Sequence, residues 1–414
     1  MAVIKAFAGI RPTRELASRI AALPYDVYNR QEAKAEVEKE PYSFLKIDRA
    51  ETQLGDEVDT YDPRVYERAK NTLWEMVRRG EFVWDEKESL YLYELTMNGR
   101  SQTGLVACAS IDDYESGVIR KHENTRVEKE QDRIRHVDVC DAQTGPIFLA
   151  YRKRPEIQEI FYRVKQTEPL FDFVSPDGVT HRGWRIESEK EIKNLTQLFA
   201  EVSTLYIADG HHRAASAVKV GQKRRREHPG YDGTEEFNYF LSVIFPGDEL
   251  MILDYNRVVK DLNSLSMEEF LDRIGEHFII ELSDTAVSPE RKGTFGMYVN
   301  DQWYKLTACQ ECLSKDPVAG LDVSILQDYI LEPVLGIQDP KQDSRIDFIG
   351  GIRGLEELER RVRQDCRVAF SMYPTSIEEL FAVADAARLM PPKSTWFEPK
   401  LRSGLFIHAL RDRD

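Results

Sequence analysis

No stretch of roughly 18 or more apolar residues occurs in the chain, so the sequence offers no membrane-spanning helix and no membrane partner. Positive charge is in deficit: 57 Lys and Arg against 72 Asp and Glu leave a net charge of −15. That balance argues against a broad nucleic-acid-binding surface, which needs clustered cations in excess. Cysteine is scarce and odd in number. Cys108, Cys140, Cys309, Cys312 and Cys366 form no even disulfide framework, and Cys309-Gln-Glu-Cys312 lacks the second pair that a structural zinc site requires. Also missing are a G-x-x-x-x-G-K-[ST] loop, a G-x-G-x-x-G fingerprint and an H-E-x-x-H pair. Arg11, Pro12, Arg14 and Glu15 interrupt the first residues before a signal-peptide core forms, and with the composition this sets the expectation of a cytoplasmic protein.

What remains is 414 residues of mixed α/β pattern with 42% hydrophobic content, long enough for two or three domains. Helical spacing is expected over 64–79, 126–139, 155–164, 188–200, 267–277, 323–335 and 376–389. Strand patterns cover 90–96 and 103–111 around Asn98-Gly99, then 146–151, 204–208, 237–245, 249–253, 294–300, 302–307, 367–372 and 404–409. The segments 237–245 and 249–253 read as a hairpin around Pro246-Gly247-Asp248. Ala286–Lys292 reads as a linker, giving an N-terminal and central region over 1–285 and a C-terminal α/β region over 293–414. The basic run Lys223–Arg226 falls at a helix C-terminus, where cations complement the helix dipole.

The densest chemistry lies in Tyr206-Ile-Ala-Asp-Gly-His-His-Arg-Ala-Ala-Ser-Ala217. An apolar run ends at Asp209, Gly210 permits a tight turn, and small helix formers follow. A helix starting there presents backbone N–H groups to an anion. Arg213 could grip phosphate oxygens with its planar fork, and His211 or His212 could donate to oxygen or move a proton. Asp209 could orient a histidine, accept a hydroxyl proton or cap the helix.

Two further clusters stand apart. Arg120-Lys-His-Glu-Asn-Thr-Arg126 precedes a charged helix on which Lys129, Asp132, Arg133 and His136 share one face. Pro391-Pro-Lys-Ser-Thr-Trp-Phe-Glu-Pro-Lys400 offers Lys393, Ser394 and Thr395 as phosphate donors, with Lys400 and Arg402 as further charge.

At Asp209-Gly-His-His-Arg213 the chain resembles a family of uncharacterised bacterial and archaeal proteins with the same signature. The resemblance runs on through Leu23-Pro-Tyr-Asp-Val27, Lys121-His-Glu-Asn-Thr125, Asp254-Tyr-Asn-Arg-Val258 and Met390–Lys400. More distantly it is similar to the ParB/sulfiredoxin-like superfamily, which includes free-serine kinases. The resemblance implies a ParB/sulfiredoxin-like core carrying a large additional C-terminal α/β part. It further implies a phosphotransferase acting on a hydroxyl metabolite, with L-serine first among substrates and ATP, ADP or pyrophosphate as donor.

On that reading Glu123, alternatively Asp209, accepts the hydroxyl proton, and His211 assists. His122, Arg126, Gly210, His212, Arg213, Lys393 and Ser394 bind substrate or phosphate, and Mg2+ accompanies the donor. No resident protein metal site is expected. The alternative is a ParB-like nucleotide-responsive DNA-binding or regulatory protein, against which the charge of −15 counts. No feature of the sequence selects an oligomeric state.

Overall fold

The computed structural model describes residues 1–414 except Arg126, Asp412 and Asp414. Its packing divides the mixed α/β chain into two compact units, residues 1–250 with 399–414 and residues 251–398.

The first unit is built on a nine-stranded mixed sheet. Its hairpin Leu90–Met97 and Arg100–Ser110 turns at Asn98-Gly99, both at positive φ, which Asn and Gly adopt most readily. Tyr239–Pro246 lies antiparallel to Arg100–Ser110 and parallel to Ile147–Tyr151. Leu205–Asp209 follows, antiparallel to Ile147–Tyr151 and parallel to the short edge strand Ile119–Arg120. Strands buried on both faces read as continuous apolar runs, and Ile147–Tyr151 is buried at every position. One apolar cluster includes Leu105, Leu149, Phe161, Leu195, Ile207 and Phe240. A second joins Phe44, Leu73, Trp74, Phe82 and Ile407 around the helix Pro63–Arg78.

The second unit holds a six-stranded antiparallel sheet in the order 278–283, 302–308, 294–299, 368–371, 255–259, 346–350. The chain enters and leaves this unit through the paired strands Met251–Leu253 and Trp396–Glu398. This corrects the expected hairpin around Pro246-Gly247-Asp248, because Met251–Leu253 finds its partner about 145 residues downstream rather than in the preceding strand. The division also differs from the boundary expected at 286–292. Tyr255–Val259 is a central strand of the second sheet, and Val287 lies within that unit, its carbonyl accepting from Ser371 Oγ at 2.6 Å.

Most helices follow the sequence period closely: Pro63–Arg78, Val127–Cys140, Pro155–Val164 and Glu189–Ala200. The Ser376/Glu379 capping box opens Ile377–Asp385 as its spacing implies. The expected helix 323–335 is instead a short α-helix, Asp322–Leu326, passing into a wider π-type turn over Gln327–Leu331. The final strand is confined to His408–Ala409, paired with Ala142–Gln143. Among the described residues no helix is long and apolar enough to cross a membrane.

Candidate functional site

Two parallel neighbours, Ile119–Arg120 and Leu205–Asp209, end at the same edge of the first unit's sheet. The loop carrying His122 and Glu123 and the turn Asp209–Arg213 therefore emerge side by side, although almost 90 residues separate them in sequence. The register of Leu205–Asp209 against Ile147–Tyr151 shifts between Ile207 and Asp209, a bulge that re-aims the last residue of the strand. Gly210 then takes φ +92°, and the helix His211–Glu227 begins.

A side chain at Gly210 would be strained at that φ and would also approach Arg213 Nε to 3.0 Å. No side chain caps the helix. Asp209 is not its cap, for its Oδ1 accepts from the adjacent Gly210 N–H at 2.9 Å.

His211 is buried and meets His122 edge to face, with ring centroids 4.4 Å apart. Its Nε2 lies 3.4 Å from the donating His122 backbone N–H, so Nδ1 carries the proton of the neutral ring. Burial, followed by the neighbouring His122, drives the His211 pKa well below the ordinary histidine value. Burial also lowers His122 to about 4, opposed by Asp209 and the nearby Ile207 backbone. His122 is 1% exposed, yet neither ring nitrogen makes a hydrogen bond of normal geometry to a described residue. Both histidines are neutral at physiological pH.

Asp209 reaches solvent with 37% of its side chain while protein encloses the rest. Burial alone would raise its pKa. Lys400 and Arg213, with the Gly210 N–H, more than offset this and hold it at about 2. Arg213 Nη2 lies 3.6 Å and Lys400 Nζ 3.8 Å from Asp209 Oδ2. Arg213 also donates from Nη1 to the Pro146 carbonyl at 2.6 Å, which ties the turn to the entry of the neighbouring strand.

Arg213 further lines a cavity of about 30 Å³, room for about two waters, together with Tyr25, Asp48, Arg133, His136 and Thr144. Arg133 stacks on the Tyr25 ring at 4.0 Å and pairs with Asp132 through Nε at 2.9 Å and Nη2 at 2.8 Å. Asp48 accepts from Thr144 Oγ1 at 2.8 Å, and His136 Nε2 meets the Ile47 carbonyl at 3.1 Å. The charged helix thus turns Asp132, Arg133 and His136 inward, while Lys129 stays exposed.

The structure brings Asp209, Gly210, His211, His212, Arg213 and His122 to one strand end, with half-buried Glu123 in the same loop. Arg126 lies outside the described residues. Lys393 and Ser394 belong to the second unit. There Ser394 is buried and donates to the Pro391 carbonyl at 2.7 Å, and Lys393 Nζ sits 5.6 Å from the Tyr255 ring centroid. Tyr25, Asp48 and Thr144 were not assigned from the sequence as lining residues. Only Tyr25 had a signal, as part of Leu23-Pro-Tyr-Asp-Val27. The basic run is engaged in ion pairs, Lys223 with Asp138, Arg224 with Asp141 and Arg225 with Asp112. Cys309 and Cys312 are free thiols.

Fold and site together define a mixed α/β protein with a polar strand-to-helix turn opening beside paired buried histidines. The chain belongs to the family described as Protein of unknown function (DUF1015), matched over residues 4–324. No curated protein matches it. Among solved structures it is similar to a free serine kinase in complex with AMP, at 15% identity over 73% of this chain and 91% of that one, TM-score 0.35. It is also similar to a conserved hypothetical protein from Pyrococcus furiosus (14%, 73% and 95%, TM-score 0.33) and to SbnI with C-terminal truncation from Staphylococcus aureus (10%, 75% and 90%, TM-score 0.38). At these scores the similarities carry neither fold nor activity across.

Proposed function

We propose that the protein is a phosphotransferase acting on the hydroxyl of a small metabolite at the Asp209–Arg213 turn. One observation carries this reading: Arg213 and Lys400 converge on a single carboxylate beside a helix N-terminus that no side chain caps. Helix N-terminal N–H groups and a guanidinium fork suit phosphoryl oxygens, and phosphoryl transfer asks a protein chiefly for positioning and charge compensation.

In the proposed reaction the substrate oxygen forms a bond to the donor's terminal phosphorus as the bond from that phosphorus to the leaving phosphate oxygen breaks. The hydroxyl proton passes to Glu123. Asp209, ionised down to about pH 2, is a weak base and is better suited to orienting the hydroxyl and holding the two cations. Neutral His211 donates from Nδ1 to a phosphoryl oxygen, and a ligand oxygen gives the buried His122 ring a partner. His212 and the Gly210 turn complete the phosphate cradle. Among acceptors, L-serine is the one the motif resemblance names, and ATP, ADP and pyrophosphate share the terminal phosphoryl chemistry.

Magnesium would arrive with the donor rather than reside in the protein. The charge of the donor phosphates is what calls for the ion. The test is phosphorus NMR of the purified protein with hydroxyl amino acids and each of the three donors, with and without magnesium. A new phosphomonoester signal that disappears in Arg213→Lys supports the reading. Unchanged spectra across every donor and acceptor count against it.

A further inference from the structure

In the second unit the strands 368–371, 255–259 and 346–350 lie side by side and antiparallel, with Val259 opposite both Val368 and Ile346. One step further along that register stand Arg367, Lys260 and Arg345. The Lys260 N–H donates to the Arg345 carbonyl at 2.9 Å, and the Arg367 N–H to the Val259 carbonyl at 2.8 Å. Residues directly opposite on antiparallel strands share a face, and like charges placed there repel. Three adjacent cations at one end of the sheet therefore cost stability unless anions meet them. Arg345 is met in this way, with Nη2 2.7 Å from Asp343 and Nη1 3.3 Å from Asp261. The next carboxylates, Asp347 and Asp365, both pair with Arg361 at 2.8 Å. Lys260 feels Asp365 only as a longer-range attraction. Lys260 and Arg367 are exposed, and among the described residues neither side chain makes a hydrogen bond or an ion pair.

Arg345 and Arg367 also line a cleft of about 560 Å³, whose remaining lining is the segment 261–265. Ligand pockets commonly run from about 300 to 1,000 Å³. The segment is held in place before any ligand arrives. Asn263 and Ser264 both take positive φ, 54° and 63°, which serine adopts rarely. Asn263 Nδ2 donates to the Val334 carbonyl at 3.2 Å, and its N–H to Asp261 Oδ1 at 2.9 Å. Arg345 donates to the Leu335 and Gly336 carbonyls at 3.0 and 3.1 Å, so its fork is committed to structure and Arg367 and Lys260 are left to meet a ligand. We propose that this cleft binds a small phosphate ester bearing hydroxyl groups, with its phosphoryl oxygens on Arg367 and Lys260 and a hydroxyl donating to Asp261 Oδ2. Three phosphoryl oxygens reach a planar fork and an ammonium together more completely than the two oxygens of a carboxylate. No described lining residue is aromatic, so nothing stacks a nucleotide base, whereas Asp261 and Asn263 suit hydroxyl groups. The carboxylates around Arg345 and Arg361 keep the neighbourhood close to neutral, so affinity comes from these local contacts rather than from a long-range field. All of these residues belong to the second unit, and the assignment does not depend on the Asp209–Arg213 turn.

The experiment uses the full chain carrying Arg213→Met, which removes phosphate binding at the turn, with glycerol 3-phosphate as probe and titration calorimetry as readout. The probe should still bind. Adding Arg367→Gln should weaken binding about ten- to hundredfold, the loss of one charge-assisted contact, with an unchanged thermal midpoint. Lys260→Gln in the same background should cost severalfold. Inorganic phosphate should bind several times more weakly than the ester, and glycerol alone should give no heat. Equal affinity with and without Arg367→Gln overturns the proposal. Binding present in the parent and lost in Arg213→Met places the phosphate at the turn, which overturns the cleft and leaves the phosphotransferase reading standing. No binding of the probe by either protein overturns the cleft as well. Equal affinities for inorganic phosphate and the ester overturn the assignment to an ester. If Arg213→Met does not fold, the parent is compared with Arg367→Gln, and undiminished affinity there overturns the proposal.

Discussion

The first unit buries two histidine clusters and treats them in opposite ways. At His181 both ring nitrogens are engaged, Nδ1 with Tyr93 Oη at 2.8 Å and Nε2 with Ser175 Oγ at 3.0 Å. At the strand end, His122 is equally enclosed, but neither ring nitrogen makes a hydrogen bond of normal geometry to a described residue, the Ile207 backbone lying only nearby. Burial dominates both pKa values, lowering His181 to about 3 and His122 to about 4. Burial therefore does not distinguish a structural histidine from a ligand-facing one. Hydrogen-bond satisfaction does, because an unpaired buried polar group costs stability that a structural role would have no reason to retain.

The largest effect should fall on chemistry at the unsatisfied cluster. Glu123→Gln should lower turnover by about 10²–10⁴-fold with little change in donor affinity, whereas Arg213→Lys should lower both. Steady-state kinetics on variants shown to be folded check this. Near-parent turnover in Glu123→Gln would move the base to Asp209, and the same result in Asp209→Asn would leave the mechanism without a base.

Stability should show the reverse ranking. His181→Ala removes a buried ring together with its hydrogen bonds to the Tyr93 hydroxyl and Ser175, and should cost roughly 2–5 kcal/mol by denaturant unfolding. His122→Leu removes two unpartnered polar atoms and should stay within about 1 kcal/mol of the parent. Similar losses in both variants would erase the distinction drawn between the clusters.

Acid should destabilise both clusters, since both rings are held neutral. A histidine whose folded pKa is depressed binds its proton more readily in the unfolded chain, so its neutral burial costs nothing above pH 6.5. Stability is then lost as pH falls from 6.5 towards the folded value. For His122 the window runs from 6.5 to about 4, worth at most about 3 kcal/mol, and His122→Leu should flatten that part of the stability profile. Asp209 acts lower: its carboxylate, held at about 2, contributes above pH 3.8 and is lost only below it.

The smallest effect belongs to the basic run. Lys223→Ala removes a partly exposed pair with Asp138 and should change stability by no more than about 0.5–1 kcal/mol, with parent turnover. A large loss of activity there would reopen the possibility of an anionic macromolecular partner.

Local order was legible because it is encoded locally. The period of Val65, Ala69, Leu73 and Met76 announces the helix Pro63–Arg78, and Asn98-Gly99 announces its hairpin. The strand, glycine and helix of the motif turn read directly from Leu205 to Ala217, because the left-handed φ of Gly210 and the apolar run before it are nearest-neighbour properties. Long-range pairing is not encoded in that way. Nothing near Met251 reveals that its strand partner is Trp396–Glu398, and so the local pattern points to 286–292 while the packing divides the chain at Met251.

The site divides along the same line. The sequence by itself determined the chemistry of the turn, with its aspartate, two histidines and arginine around a glycine that the backbone needs. Tertiary structure alone decided its company. It set His122 against His211 by pairing two parallel strands, turned Arg133 inward beneath Tyr25, and returned Lys400 from the far end of the chain to Asp209. Such contacts depend on sheet order and on where a distant segment is anchored. A single chain's local pattern holds no term for either.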